Sequence, residues 1–244
     1  MKLLIALVVV VSLAACSTGA DKNKTDVLVI GGGGAGLVAA ITAAEAGKNV
    51  ILVEKMMAVG GNTIVSATGI TASDTYLHTE SGIPFTKEDH FKKTMETGKN
   101  LANPELVNIL VDSSADAVQW LADLGLKLKV RSEQEPFWLV PVEGHYGSQF
   151  VGVLLNKANG LKNLEIRTES KALELLVEDG KVVGALIEGT EGQYEVKANA
   201  VVLATGGLNN NPEMIAQYNA NYTNVNTEMT TAGPTGDGIL MALA

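Results

Sequence analysis

The sequence Asp-Val-Leu-Val-Ile-Gly-Gly-Gly-Gly-Ala-Gly, at residues 26–36, decides the fold. Residues 27–30 form a short apolar run of the kind that makes a strand buried on both faces. The run ends in glycines, of which Gly31, Gly33 and Gly36 fit the pattern G-x-G-x-x-G. Alanine-rich sequence follows at residues 37–46 and predicts a helix. The stretch therefore predicts a strand, a tight turn and a helix in direct succession.

Each glycine of this pattern has its own physical role. The first permits the tight turn, the second lets the backbone approach a pyrophosphate, and the third lets the helix pack closely on the strand. The helix N-terminus, with its free N–H groups and roughly half a positive charge, then faces the phosphates. The next predicted strand, residues 49–53, ends in Glu54, an acceptor for a ribose diol. We therefore predict a dinucleotide site, with a plain glycine-rich turn as the alternative.

The first sixteen residues have the pattern of a secretion signal. Lys2 is a positive n-region, residues 3–13 are an apolar h-region, and Leu-Ala-Ala-Cys ends at Cys16. The last four residues resemble a bacterial lipobox, which implies cleavage before Cys16 and its lipidation. An ordinary signal peptide with an incidental cysteine is the alternative. We expect a lipoprotein signal peptide at 1–15, a linker at 16–25, and a lipid anchor on the extracytoplasmic side of a bacterial membrane, in the periplasm or at the cell surface.

One cysteine and a formal net charge of −9 among 244 residues limit the possible functions. A single cysteine excludes a disulfide, an Fe–S cluster and a cysteine-based zinc site within one chain. The acidic balance argues against a nucleic-acid partner, which would need a basic face. It leaves room for a small anionic substrate, because local fields in a cleft can oppose the net charge.

A second glycine turn follows Glu54 and Lys55, and here the sequence resembles a known family. Gly60-Gly61-Asn62-Thr63 can turn close to a ligand and offers polar groups for a phosphate or a flavin ring; a surface loop is the alternative. Together with Ala67-Thr68-Gly69-Ile70, this stretch resembles the flavin-binding start of the fumarate reductase flavoproteins, the soluble flavocytochrome c type above all. The resemblance implies that FAD is the cofactor and that Glu54 holds its adenosine ribose.

The middle of the chain predicts scaffold. Asn103-Pro104-Glu105 is a strong helix start, and Gly125 is a stop. Between them, apolar residues recur at helical spacing and predict the buried face: Leu106, Leu110, Val111, Val118 and Leu121. Trp120 is assigned to the core. His145, in a loop, is either solvated or close to the flavin.

The second half of the chain predicts strands. Residues 172–178, 182–188 and 194–197 form a meander, with Asp179-Gly180 as a hairpin turn. The resemblance makes this a glutathione-reductase-type flavin fold and aligns Ala172 with a residue that meets adenine, although it is equally an ordinary strand alanine. A separate buried strand is predicted at 200–203 and ends in Ala204-Thr205-Gly206-Gly207. Asp237 lies in the stretch Thr-Gly-Asp-Gly at 235–238. Both stretches resemble the fumarate reductase flavoproteins.

These observations predict an α/β fold with an FAD-binding, Rossmann-like parallel sheet and a β-meander over residues 26–244. The predicted FAD-binding residues are Gly31, Gly33, Gly34, Ala35, Gly36, Glu54, Lys55, Gly61, Asn62, Thr63, Thr68, Gly69, Ala172, Ala204, Thr205, Gly206 and Asp237. Family members continue through a clamp domain that carries the substrate-binding and proton-donating residues. Because the chain ends inside a predicted helix at 238–244, we expect an incomplete domain that lacks the clamp and is inactive alone.

The resemblance implies a lipid-anchored reductase of an α,β-unsaturated carboxylate, such as fumarate or urocanate. Reduced FAD would transfer a hydride to the substrate, and electrons would come from a separate donor, a cytochrome or quinol system. Two alternatives remain: a flavoenzyme like the steroid dehydrogenases or aspartate oxidase, and a non-catalytic flavin-binding lipoprotein.

Overall fold

Strands and helices alternate around a six-stranded sheet. The structure is a computed structural model that describes residues 22–67, 69–218 and 230–244. In chain order its elements are β1 (Lys24–Ile30), α1 (Gly34–Glu45), β2 (Val50–Val53), α2 (Gly61–Ile64), β3 (Ile70–Thr71), α3 (Tyr76–Ser81), α4 (Lys87–Thr97), α5 (Pro104–Asp123), β4 (Leu128–Val130), β5 (Trp138–Pro141), α6 (Tyr146–Asn159), β6 (Leu164–Arg167), β7 (Lys171–Glu178), β8 (Lys181–Gly189), β9 (Gly192–Leu203), α7 (Pro212–Tyr218) and α8 (Asp237–Leu243).

The large sheet has the strand order β6-β2-β1-β9-β8-β7. Strand β1 is parallel to both β2 and β9, and β2 is parallel to β6. The β7–β8 and β8–β9 pairs are antiparallel. The predicted α/β fold with a parallel sheet and a meander is therefore confirmed.

One continuous strand replaces two predicted ones. The sequence predicted separate strands at 194–197 and 200–203, but β9 runs unbroken through both. Its first half pairs antiparallel with β8, as in Ile187 with Tyr194, and its second half pairs parallel with β1, as in Ile30 with Leu203. Hydrogen bonding therefore passes from one neighbour to the other and keeps the chain extended through Asn199.

Strand β1 begins inside the predicted linker. Lys24 and Thr25 pair with Lys197 and Ala198 of β9, so the ordered sheet starts two residues before the predicted boundary at 26. The signal peptide and Cys16 lie outside the described residues, and the lipid anchor stays a prediction. Within the described parts of the chain, no helix has the length and apolar character needed to cross a bilayer.

Both faces of the parallel strands are covered. On one face, Leu37 and Ile41 of α1 and Leu154 of α6 pack with the sheet. On the other, the meander folds across the strands, because Ile187 and Val196 belong to the same buried cluster as Leu28. Each such side chain stabilises the fold by roughly 1.5–3 kcal/mol when it is fully buried. The two layers fix the carboxyl ends of β1, β2 and β9 side by side.

The prediction for helix α5 was right in position and partly wrong in orientation. Asn103 caps it through its side chain, 2.9 Å from the Glu105 amide nitrogen. Its buried residues are Val107, Val111, Ser114 and Val118, whereas Leu106 and Leu110 are exposed. Five of the six residues 106–111 are apolar, so the sequence pattern does not define which side faces inward. Trp120 packs against the core with its side chain partly buried, as predicted.

Candidate functional site

Four glycine-bearing turns surround one cavity of about 260 Å³ at the carboxyl ends of β1, β2 and β9. Fourteen of the predicted site residues line it: Gly31, Gly33, Gly34, Ala35, Glu54, Lys55, Gly61, Asn62, Thr63, Ala172, Ala204, Thr205, Gly206 and Asp237. The carboxyl edge of a parallel sheet is where open α/β folds bind their ligands.

Three predicted residues are not among those that line the cavity. Gly36 lies behind it, where a Cβ would collide with the carbonyl oxygen of Gly31. Gly69 packs instead against the backbone of Leu139, next to the small sheet formed by β3, β5 and β4. Thr68 lies outside the described residues. Gly36 therefore acts through close helix–strand packing, as the motif predicted, and Gly69 has a comparable packing role.

The first turn presents the N-terminus of α1 to the cavity. Gly33 is the N-cap residue, and a Cβ built on it would meet no atom within 4 Å. The Gly34 amide donates to Thr63 Oγ1 over 3.1 Å. Helix geometry leaves the amides of Ala35 and Gly36 without an intrahelical acceptor. This end of the cavity therefore combines backbone donors, a positive helix end and open space, which suits a pyrophosphate.

Glu54 is more than a candidate ribose ligand. It is only 7% exposed, and both of its oxygens accept backbone hydrogen bonds. Oε2 accepts from the Gly32 amide over 2.7 Å, and Oε1 accepts from the Met56 amide over 2.8 Å. Each carboxylate oxygen keeps a further lone pair for a hydroxyl group. Glu54 thus fixes the first glycine turn and stays able to accept from a ribose.

The second glycine turn leads into a one-turn helix, which the sequence analysis did not predict. Helix α2 starts at Gly61, and the Gly60 amide donates to the Gly32 carbonyl over 2.8 Å. Gly60 has φ +130° and Gly61 φ +48°, both in the region that favours glycine. Helix α6 packs directly against this short helix.

Asn62 connects this turn to the C-terminal segment. Its Oδ1 accepts from the backbone nitrogen of Thr231 over 2.9 Å and from the Thr231 hydroxyl over 3.0 Å. The side-chain oxygen of Asn62 is therefore engaged within the protein, and its amide NH₂ is the group left for a ligand.

The third and fourth turns are joined by hydrogen bonds. The Gly236 amide donates to the Gly207 carbonyl over 3.0 Å. Lys55 Nζ donates to Thr235 Oγ1 over 2.6 Å and to Asp237 Oδ2 over 2.7 Å. Burial favours the neutral form of Asp237, but the hydrogen bond and charge of Lys55, with the Thr235 hydroxyl, outweigh it. The pKa of Asp237 therefore lies below its ordinary value.

Sequence reasoning missed several residues of the cavity wall: Ile30, Val53, Met56, Ser170, Lys171, Gly207, Gly233, Pro234 and Met241. Ser170 is held at the cavity wall by its amide, which donates to the Glu54 carbonyl over 2.9 Å. The sequence did contain a signal for Ser170 and Lys171, since both directly precede Ala172, which was predicted.

His145 is the exposed N-cap residue of α6 and is not among the residues that line the cavity.

The residues present fit a dinucleotide that carries a pyrophosphate. Backbone donors, a buried carboxylate and glycines that leave room for the ligand meet in one cleft. Its volume of about 260 Å³ lies just below the range of about 300–1,000 Å³ for small-molecule sites. A Cβ on Gly33 would meet no described atom within 4 Å, so packing against the described residues does not require glycine at this position.

Comparisons with known proteins agree with this geometry. The model of a family described as FAD binding domain matches residues 26–244. The urocanate reductase of Eggerthella lenta is 37% identical over 231 residues, which are 90% of this chain and 38% of that protein. A fumarate reductase (cytochrome) of Shewanella frigidimarina is 35% identical over 239 residues, 93% of this chain and 41% of that protein.

Among solved structures, the open conformation of a flavocytochrome c3 fumarate reductase matches with a TM-score of 0.85 and 37% identity. The match covers 92% of this chain and 41% of the other. The chain thus spans about two fifths of the length of these relatives.

Proposed function

We propose, because the chain belongs to the FAD-binding domain family of the fumarate reductases and flavocytochrome c3, that it forms the FAD-holding part of a reductase of an α,β-unsaturated carboxylate. Its relatives include flavoprotein reductases of fumarate, urocanate and acrylate. The observation that carries the proposal is the convergence of the four glycine-bearing turns on one cavity.

Each part of the cavity has a role in holding the cofactor. The amides at the start of α1 bind the pyrophosphate, and Glu54 accepts hydrogen bonds from the adenosine ribose. The close contact between Gly31 and Ala204 keeps the first and third turns together. When bound, FAD supplies the hydride-transfer chemistry of the reaction. The protein's own contribution would be to bind and orient the cofactor through these residues.

The electron donor of this chain is proposed by analogy. Relatives reduce fumarate with a cytochrome, with NADH or with a quinol as the donor. The sequence has one cysteine, at position 16, and no C-x-x-C-H motif. It therefore has no set of cysteine ligands for a haem or an iron–sulfur cluster within residues 1–244. A separate donor, a cytochrome or a quinol system, fits this composition.

We also propose a lipid anchor at Cys16. The support is the sequence Leu-Ala-Ala-Cys after an apolar segment. A Cys16→Ser variant would lose the incorporation of labelled fatty acid and would leave the membrane fraction. A variant that keeps both would contradict the anchor.

The function is tested by the oxidation of reduced flavin. The protein from the complete reading frame is loaded with FAD, reduced anaerobically with a dye, and mixed with fumarate, urocanate or acrylate. Return of the oxidised flavin spectrum with at least one of these acids supports the reductase. A bound flavin that none of them oxidises contradicts it and favours the non-catalytic flavin-binding lipoprotein.

A further inference from the structure

Lys55 and Asp237 form an ion pair in the wall of the cavity. The Lys55 Nζ to Asp237 Oδ2 distance is 2.7 Å, and each side chain is 23% exposed. The same ammonium donates to Thr235 Oγ1, which itself lies 3.1 Å from Asp237 Oδ1. The sequence predicted both Lys55 and Asp237 as FAD-binding residues, and the structure adds that their charged groups are bonded to one another.

The pair spans two distant parts of the chain. Lys55 directly follows Glu54 at the end of β2, and Asp237 is the first residue of α8. Gly236, which directly precedes Asp237, adopts φ +85°, a conformation that glycine favours. The turn at 235–237 is also held by the bond from Gly236 to Gly207 and by the 3.0 Å bond from Asn211 Nδ2 to the Thr235 carbonyl. Lys55 links this turn to the segment that directly follows β2.

Removing Lys55 would change the charge of the cavity as well as its shape. Among the residues that the structure describes, the charged side chains that line it are Glu54, Lys55, Lys171 and Asp237. Loss of the Lys55 ammonium would leave the Asp237 carboxylate with the Thr235 hydroxyl and the charge of Lys171, but without its ion-pair partner, beside the space for the cofactor. Breaking one member of a partly buried ion pair is costly because the other charge stays behind. A pyrophosphate, itself an anion, would then face a carboxylate that has lost its ion-pair partner.

We propose that Lys55 is a positioning residue, which compensates the charge of Asp237 in the cavity wall and so supports FAD binding through Asp237 rather than by direct contact with the phosphates. The proposal rests on FAD being the ligand of this cavity. It predicts a specific dependence between two substitutions, because the harm done by the loss of Lys55 comes from the charge that Asp237 keeps.

The test is a double-mutant cycle on FAD affinity, measured by titration of the apoprotein. Lys55→Met should weaken FAD binding by about tenfold, which is 1.4 kcal/mol. Adding Asp237→Asn to it should restore most of the affinity, to within about threefold of Asp237→Asn alone. Lys55→Arg, which keeps the charge, should bind within about threefold of the wild type. Lys55→Gln serves as a second variant if the methionine variant does not fold.

The matched control is Lys87→Met. Lys87 forms an exposed pair with Asp112 over 2.8 Å, outside the residues that line the cavity, so this variant should bind FAD like the wild type. Equal losses for Lys55→Met with and without Asp237→Asn would mean that Lys55 acts on the cofactor directly, and would overturn the inference. If Lys55→Met bound FAD with wild-type affinity, the inference about Lys55 would be overturned and the proposed function would stand. If the wild-type protein failed to bind FAD, both the inference about Lys55 and the proposed function would be overturned.

Discussion

Gly31 lies directly against the backbone of Ala204. A Cβ built on Gly31 would come within 2.7 Å of the Ala204 carbonyl carbon, and the Ala204 amide donates to the Ile30 carbonyl over 2.8 Å. The first and third glycine-bearing turns therefore share a wall in which no side chain fits. The motif predicted a tight turn at Gly31; the structure adds that a second strand end occupies the space beside it.

Gly31→Ala should destabilise the apoprotein by roughly 2–4 kcal/mol, through strain at φ +108° and the collision with Ala204. The measurement is urea unfolding. The matched control is Gly192→Ala in the β8–β9 turn, with φ +116° and no atom within 4 Å of the added Cβ. The control should show the cost of strain alone, about 1 kcal/mol. Equal losses for the two variants would show that the contact with Ala204 is unimportant.

Gly33→Ser should separate binding from stability. Serine is a good N-cap residue, so the apoprotein should be as stable as the wild type or more stable by a few tenths of a kcal/mol. The added side chain would enter the cavity, and FAD affinity should fall by at least tenfold. Gly152→Ser in α6, where the added Cβ also meets no atom within 4 Å, should leave affinity unchanged. Unchanged FAD binding in Gly33→Ser would place the cofactor elsewhere.

Glu54→Gln should lower the free energy of unfolding of the apoprotein by roughly 1–3 kcal/mol. The reason is that the glutamine NH₂ would face the amide of either Gly32 or Met56, and one buried donor would lose its acceptor. The exposed Glu174→Gln is the control, with an expected change below about 0.5 kcal/mol. Stability equal to that of the wild type would show that Glu54 does not hold the turn.

The buried His90, which is not among the residues that line the cavity, should make the stability of the protein depend on pH. It is 1% exposed, its Nδ1 lies 3.2 Å from Ser73 Oγ, and burial lowers its pKa below the ordinary 6.5. The unfolded chain therefore binds a proton at a pH at which folded His90 is still neutral. Its contribution to stability is complete above pH 6.5 and declines as the pH falls towards the folded pKa, with a slope of at most about 1.4 kcal/mol per pH unit.

The check is chemical unfolding at several pH values between about 7 and 5.5. His90→Gln should lose this part of the slope, and His145→Gln, which removes an exposed imidazole, should keep it. An unchanged slope in His90→Gln would contradict the assignment.

Local patterns were enough to predict the β1–α1–β2 unit and its glycine turn, whereas cavity residues such as Ala172 and Asp237 were predicted from the family resemblance. Gly31 could be assigned because a positive φ and a close approach both require glycine, and Glu54 because a buried strand places it at the sheet edge. The meander was predictable from alternating residues and the Asp179-Gly180 turn, since both are local signals.

Other features depend on contacts that no local pattern contains. Lys55 and Asp237 meet only because β2 and α8 converge in the folded chain. The continuity of β9 depends on its two neighbours, β8 and β1. The strands β3, β4 and β5 are two to four residues long, which is too short for a periodic signal, and they were not predicted.

The most direct test of the account is a titration of the folded apoprotein with FAD, followed by the change in flavin absorbance and fluorescence. The account predicts saturable binding at one FAD per chain, because the four glycine-bearing turns form one cavity. A folded wild-type protein that takes up no FAD would contradict it.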